Sequence, residues 1–173
     1  MIGYSNNCLR VGNGYDVHAL KEGLPMWLCG VRIPSEKGFV AHSDGDVAIH
    51  ALCDALLGAA ALGDIGLHFP DSDPRFKGSD RKELLAHVVR LVTDEGRPSY
   101  DIVNADITIA LQEPKLRPHI DTMRQTLAEV MNIDKGRVSV KATTTERLGF
   151  VGRGEGCEVW ATVMIAPRNV NQY

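Results

Sequence analysis

Aromatic residues make up only 6% of the 173-residue sequence, and basic charge is not in excess: 19 Lys and Arg face 22 Asp and Glu, a formal net charge of −3. A dedicated nucleic-acid binder needs a basic stripe to displace counterions from phosphates, so that class is excluded. Long apolar runs are missing too. The longest weakly polar run, 55–62, falls far short of the roughly 20 residues a bilayer span requires. The first seven residues lack a charged-then-apolar export pattern. The expectation is a soluble, cytoplasmic protein with neither membrane nor nucleic acid as partner. Cysteine is scarce, and Cys8, Cys29, Cys53 and Cys157 form no CxxC pair. That excludes a zinc knuckle and leaves reduced thiols as the expected state. At 44% hydrophobic the chain is not disordered, and its length suits one domain with a real core. It contains no repeat, low-complexity tract or linker.

Apolar periodicity and turn residues predict strands over 9–18 and 26–33, then a helix over 45–61 that Gly63 stops. The stretch 63–79, rich in Gly, Pro and Asp, reads as an irregular loop. Asp80, with Glu83 at capping-box spacing, opens a helix to about 95. A strand over 100–112 follows, and Pro118 starts a helix ending near Met131. Strands over 137–145 and 157–166 flank a glycine-rich segment. This order gives an α+β domain, a mixed sheet with helices on one face.

Asp16 and His18 lie two apart at a strand end, so their side chains leave the same face at metal-ligand spacing. Two histidines and two aspartates crowd the segment from His42 to His50, and Asp46, His50 and Asp54 share a helix face. A carboxylate beside a ligating histidine is the usual way to orient its ring. Two strand ligands and one histidine would make a catalytic zinc site with an open fourth position, and spacing leaves His42 and His50 as alternatives for the third ligand. The glycines of the loop 63–74 allow close backbone approach and its aspartates accept hydrogen bonds from hydroxyls; a plain acidic surface loop is the other reading. Thr143, Thr144 and Thr145 offer donors to phosphate oxygens, and Glu146 offers a carboxylate to a hard divalent cation on the same oxygens. As β-branched residues the threonines can equally be strand formers. The segment 149–156 lacks GxGxxG and lies between strands, so it is not a dinucleotide fingerprint; Arg153 and Glu155 within it suit an ion pair or an anion contact. His87 and His119, on helices away from these clusters, read as structural or solvated.

These motifs occur in a fixed order. Gly14-Tyr15-Asp16-Val17-His18 is followed by the segment 42–50, then by Ala59-Ala60-Ala61-Leu62-Gly63-Asp64-Ile65-Gly66 and by Pro114-Lys115. Lys141-Ala142-Thr143-Thr144-Thr145-Glu146 comes next, then Leu148-Gly149-Phe150 and Gly152-Arg153-Gly154-Glu155-Gly156. In these residues the chain resembles the 2-C-methyl-D-erythritol 2,4-cyclodiphosphate synthase family over 10–165, leaving 1–9 as an extension and 166–173 as a tail.

The resemblance implies an intramolecular phosphoryl transfer that releases CMP from a cytidine diphosphate-linked substrate. It implies Asp16, His18 and His50 as zinc ligands, with one Zn2+ per subunit, and Glu146 at a magnesium or manganese ion on the substrate diphosphate. His42 and Thr144 match the positions that stabilise the transition state. Substrate contacts carried over are Asp16, Val17, His18, His42 and Ser43; Asp64, Ile65, Gly66, Phe69, Pro70, Asp71, Ser72 and Asp73 around the erythritol; and Leu111, Gln112, Glu113, Pro114, Lys115, Leu116 and Arg117 around the cytidine. Thr143, Thr144, Thr145 and Glu146 at the diphosphate, with Phe150 and Arg153, complete the set. The family is a homotrimer, its sheets packed around the threefold axis and its active sites shared between subunits. Three residues depart from the family pattern: Glu113 replaces a usual alanine, Arg81 a common serine and Cys29 a frequent glycine. Two other readings use the same residues. A zinc-dependent phosphoesterase would attack with metal-bound water, and a non-catalytic binder of isoprenoid diphosphates would need no metal chemistry.

Overall fold

The computed structural model describes residues 8–40, 45–69, 81–94 and 99–168. Five strands form a mixed sheet in the order β4-β1-β7-β5-β6: Lys37–Phe39, Arg10–Glu22, Gly156–Pro167, Tyr100–Ala110 and Val138–Thr143. All neighbours are antiparallel except β5 and β6, which run parallel. A parallel pair needs a crossover, and α4 (Ile120–Met131) provides it, packed on β6. The α1 helix (Val47–Ala60) lies on β1 and β7, with α3 (Arg81–Thr93) against it. The predicted helix-covered mixed sheet is therefore present, joined by a separate hairpin, β2 (Met26–Leu28) and β3 (Val31–Ile33).

Several boundaries differ from the sequence reading. The strand expected over 26–33 breaks at Cys29 and Gly30, whose φ values of 54° and 74° make a two-residue hairpin turn. The departure at Cys29 thus falls on a backbone conformation that glycine adopts without strain. Helix α1 ends at Ala61 as expected, but the residue that stops it is Ala61 itself, left-handed with φ 58°, and not Gly63; there Leu62 N donates to the Leu57 carbonyl at 2.9 Å. The loop 63–79 contains a short helix, α2 (Ile65–His68). The first strand runs on to Glu22, and β4 was not anticipated. A 3-10 turn, Arg117–His119, holds Pro118 ahead of α4. Thr144 and Thr145 lie beyond the end of β6, so they are not strand residues. Asp80, expected to cap α3, lies outside the described residues.

Alternation along β1 sets the two faces of the sheet. Gly12 and Gly14 are buried under α1, and Asp16 and His18 follow on the same side at intermediate burial. A Cβ on Gly12 would stand 1.9 Å from the Ala55 carbonyl oxygen, and one on Gly14 1.9 Å from that of Ala51. Only glycine allows the helix backbone to sit this close to the strand. Val159, Ala161, Val163 and Ile165 of β7, with Ala105, Ile107 and Ile109 of β5, extend this buried face. On the opposite face Val11, Tyr15, Val17 and Trp160 stay exposed, at 62%, 48%, 45% and 38%.

Asp46 fixes the start of α1. Its Oδ1 accepts from Ile49 N at 3.1 Å as an N-cap and from Cys29 N at 3.0 Å, while Oδ2 accepts from Gly30 N at 2.6 Å. Burial pushes this carboxyl up, against the opposing pull of the three amides. Cys29, Cys53 and Cys157 are buried thiols with no disulfide among the described residues. Among those residues no helix is long and apolar enough to cross a membrane.

Gly14→Ala forces the helix off the strand. It is expected to destabilise the fold by about 3 kcal/mol, read as a fall in the urea midpoint at unchanged slope.

Candidate metal centre

Close approach of α1 to β1 brings His50 over Asp16 and His18. His50 Nδ1 lies 3.1 Å and His18 Nδ1 3.2 Å from Asp16 Oδ2, with the two imidazole centroids 5.2 Å apart. Asp16 Oδ1 is occupied by Val17 N at 2.8 Å, which leaves Oδ2 to face both rings. Ligand atoms of the three residues lie within 4.8 Å of one another, the single such group among the described residues. Partial burial pushes the Asp16 carboxyl up, but the pull of His18 and then His50 outweighs it and holds the group well below the usual carboxylate range. His18 Nδ1 is buried without a hydrogen-bond partner despite its nearness to Asp16, a contact in distance but not in hydrogen-bond geometry. An orphaned ring nitrogen, a second imidazole and an ionised carboxylate aimed at one point fit a divalent metal.

Spacing left His42 and His50 open as the third ligand; the structure brings His50 in, and His42 lies outside the described residues. The carboxylates expected to orient His50 are used elsewhere. Asp46 serves the backbone amides of the hairpin and of α1, and Asp54 Oδ1 accepts from Ile65 N at 2.8 Å. That bond ties α2 to α1. Asp64 caps α2 by accepting from Leu67 N at 3.0 Å, and Gly66 lies within this turn. Phe69 packs edge-on to His87, its ring centroid 5.1 Å away, so His87 is a packing residue of α3. Ser43, Pro70, Asp71, Ser72 and Asp73 lie outside the described residues. Val17 alternates to the helix-free face, so its side chain does not join the cluster.

The remaining candidates gather around two clefts. Leu111, Gln112, Pro114, Lys115, Leu116 and Arg117 line the first, of about 420 Å³, opposite Thr143 and Thr144. The pairing of Leu111 N with the Thr143 carbonyl at 3.0 Å joins its walls. After Thr143 the chain turns through Glu146 and Arg147, at φ 52° and 64°. There Thr144 Oγ1 donates to Glu146 Oε1 at 2.8 Å, Thr145 Oγ1 to the Leu148 carbonyl at 2.6 Å, and Arg147 N to Gln112 Oε1 at 3.3 Å. The second cleft, of about 840 Å³, includes Gln112, Glu113, Pro114, Lys115, Thr144 and Arg153. Arg153 is held in a bidentate pair with Glu155, both contacts 2.9 Å, so the ion-pair expectation holds. Phe150 lies on α5 (Gly149–Gly152), its ring against Gly156. Asp16, His18 and His50 line neither cleft.

Sequence reasoning missed Leu20, Lys37 and Arg147 in the larger cleft. Lys37 arrives there through the pairing of β4 with the end of β1, which no local motif announces.

The pattern of the YgbB family matches residues 9–166, nearly the whole chain. The chain belongs to the YgbB family. A relative from Pseudomonas aeruginosa strain UCBPP-PA14, a 2-C-methyl-D-erythritol 2,4-cyclodiphosphate synthase, is 58% identical over 92% of this chain and all of its own length. Among solved structures, a 2C-methyl-D-erythritol-2,4-cyclodiphosphate synthase in a CDP-bound form has a TM-score of 0.82 at 41% identity, covering 90% of this chain and 99% of its own. The bifunctional IspDF of Campylobacter jejuni has a TM-score of 0.87 at 43% identity over 94% of this chain, which spans 43% of that longer protein.

Asp16→Ala and His18→Ala are each expected to weaken divalent-metal binding by roughly 100-fold or more, measured as metal retained per chain after dialysis against graded chelator.

Proposed function

We infer that the chain closes a cyclic diphosphate. It converts 4-diphosphocytidyl-2-C-methyl-D-erythritol 2-phosphate into 2-C-methyl-D-erythritol 2,4-cyclodiphosphate and CMP, a step of the non-mevalonate route to isoprenoid precursors. The observation that carries this reading is the meeting of Asp16, His18 and His50 at one point, in a chain 58% identical to a synthase of that product. An oxygen of the 2-phosphate bonds to the β-phosphorus, the bond from that phosphorus to its bridge with the α-phosphate breaks, and CMP leaves with the bridging oxygen. The attacking phosphate is already anionic near neutral pH, so no side chain serves as nucleophile or general base. What the chain supplies is alignment and charge balance.

Asp16, His18 and His50 would hold Zn2+, which when bound supplies Lewis-acid polarisation of phosphoryl oxygens. Two imidazoles and a carboxylate with a fourth position open suit zinc. Glu146 would hold Mg2+ or Mn2+ on the diphosphate; one carboxylate plus substrate oxygens is how magnesium is commonly bound. Thr143, Thr144 and Thr145, whose hydroxyls donate within the turn in the free chain, would turn them to the diphosphate when it binds, and Thr144 with His42 would stabilise charge as it shifts between the phosphorus centres. The cytidine belongs in the cleft of Leu111 to Arg117, a reading supported by the CDP of the similar synthase. Asp64, Ile65, Gly66 and the stretch from Phe69 to Asp73 surround the erythritol, with Ser43, Phe150 and Arg153 as further contacts.

A homotrimer with its sheets around a threefold axis and its active sites between subunits completes the reading. Two observations support it: the exposed apolar side chains of the helix-free face, and a metal centre that lines neither cleft of its own chain. A cytoplasmic place of action suits a nucleotide-linked small-molecule substrate.

Phosphorus NMR of the authentic substrate with zinc- and magnesium-loaded protein is expected to show the cyclic diphosphate and CMP in equal amounts. An open-chain phosphate beside CMP, the product of water attack, overturns the cyclase reading. Sedimentation velocity is expected to give a mass three times the 18.9 kDa of the chain, and a monomer at micromolar concentration refutes the shared-site arrangement.

A further inference from the structure

The larger cleft has a basic lining that the substrate contacts above leave partly unexplained. Lys37, Lys115, Arg147 and Arg153 stand there against two carboxylates, Glu36 and Glu113. Arg153 is neutralised by its bidentate pair with Glu155. Lys37 is placed with unusual firmness for a surface lysine. Its strand pairs with β1 in the register Glu22 to Lys37, and its own amide donates to Ser35 Oγ at 3.2 Å. The next residue, Gly38, is so tightly held that a Cβ would stand 2.1 Å from the Pro25 carbonyl oxygen. From this fixed base the Lys37 ammonium donates to the Gly154 carbonyl at 3.1 Å. That carbonyl belongs to the segment that carries Phe150 and Arg153.

An ammonium has three N–H donors, and Gly154 takes one. The side chain is only half-buried; Glu155, already paired with Arg153, is within electrostatic reach of Lys37, and the two remaining N–H donors of the ammonium are open to an anion entering the cleft. We propose that Lys37 binds an oxygen of the substrate diphosphate while anchoring the Gly154 loop, so that cation and loop close on the substrate together. The inference rests on the cyclase reading for its substrate and adds to that reading a cation outside the threonine turn. Charge-assisted hydrogen bonds to phosphate are among the stronger polar contacts, and an ammonium meets phosphate as a point charge.

The test compares Lys37→Met and Lys37→Arg with the wild-type protein, each loaded with zinc and magnesium, in CMP release from the authentic substrate and in calorimetric titration with CDP. For Lys37→Met the expected result is a KM raised about tenfold with kcat within threefold, and CDP affinity lowered by a similar factor. Lys37→Arg, which keeps the charge, is expected to recover most of both. The salt dependence of KM should be shallower in Lys37→Met, because one phosphate contact is missing. Unchanged KM and CDP affinity in Lys37→Met overturn the proposal. So does an equal loss in both variants with lowered thermal midpoints, the mark of a purely structural anchor. If the wild-type protein gives no cyclic diphosphate, the cyclase reading fails, and the CDP titration alone decides the role of Lys37.

Discussion

The contact of α1 with β1 governs the rest of the molecule. Helix and strand meet backbone to backbone, with Gly12 under Ala55 and Gly14 under Ala51, so no side chain can separate them. One further strand step towards Glu22 brings Asp16, and the residue just before Ala51 is His50. The side chains that meet there are ligands instead of spacers. The same small-residue packing that stabilises the core thus sets the span of the metal centre, and a methyl group at Gly14 would act on both. α1 also covers β7, so the helix that carries His50 is packed on both β1 and its neighbour.

A net charge of −3 suits a polyanionic substrate poorly if the whole-protein field is what attracts it. The structure concentrates positive and donor groups locally instead. Lys37 and Arg147 stand in the larger cleft beside Thr144, whose hydroxyl is paired with Glu146, and the ionised Asp16 is committed to its histidines. Ions held in such sites carry the largest local charges, so attraction depends on loading more than on overall composition.

Much of this was legible in the sequence because period and spacing carry it. The Asp16 and His18 pair is a strand-period signal, and Pro118 marked the approach to α4. What escaped depends on geometry between distant segments. Asp46 stands four residues before His50, so spacing reads it as a partner of that ring, and only the docking of the distant Cys29 turn makes it a hairpin anchor. Nor does an apolar run such as 26–33 reveal that its middle holds two left-handed residues. Lys37 was invisible for the same reason, since its place in the cleft is a matter of strand pairing. The threonines looked equally suited to strand and turn, and the end of β6 at Thr143 divides them between the two.

Asp46 has one more consequence. The amides of Cys29, Gly30 and Ile49 share this single buried acceptor, although they belong to two elements far apart in sequence. Opening either element removes part of the hydrogen bonding of this buried carboxylate, so neither opens cheaply alone. The hairpin and the first turn of α1 therefore form one cooperative unit for hydrogen exchange, and the order of His50, one turn along, is inherited in part from a hairpin far away in sequence.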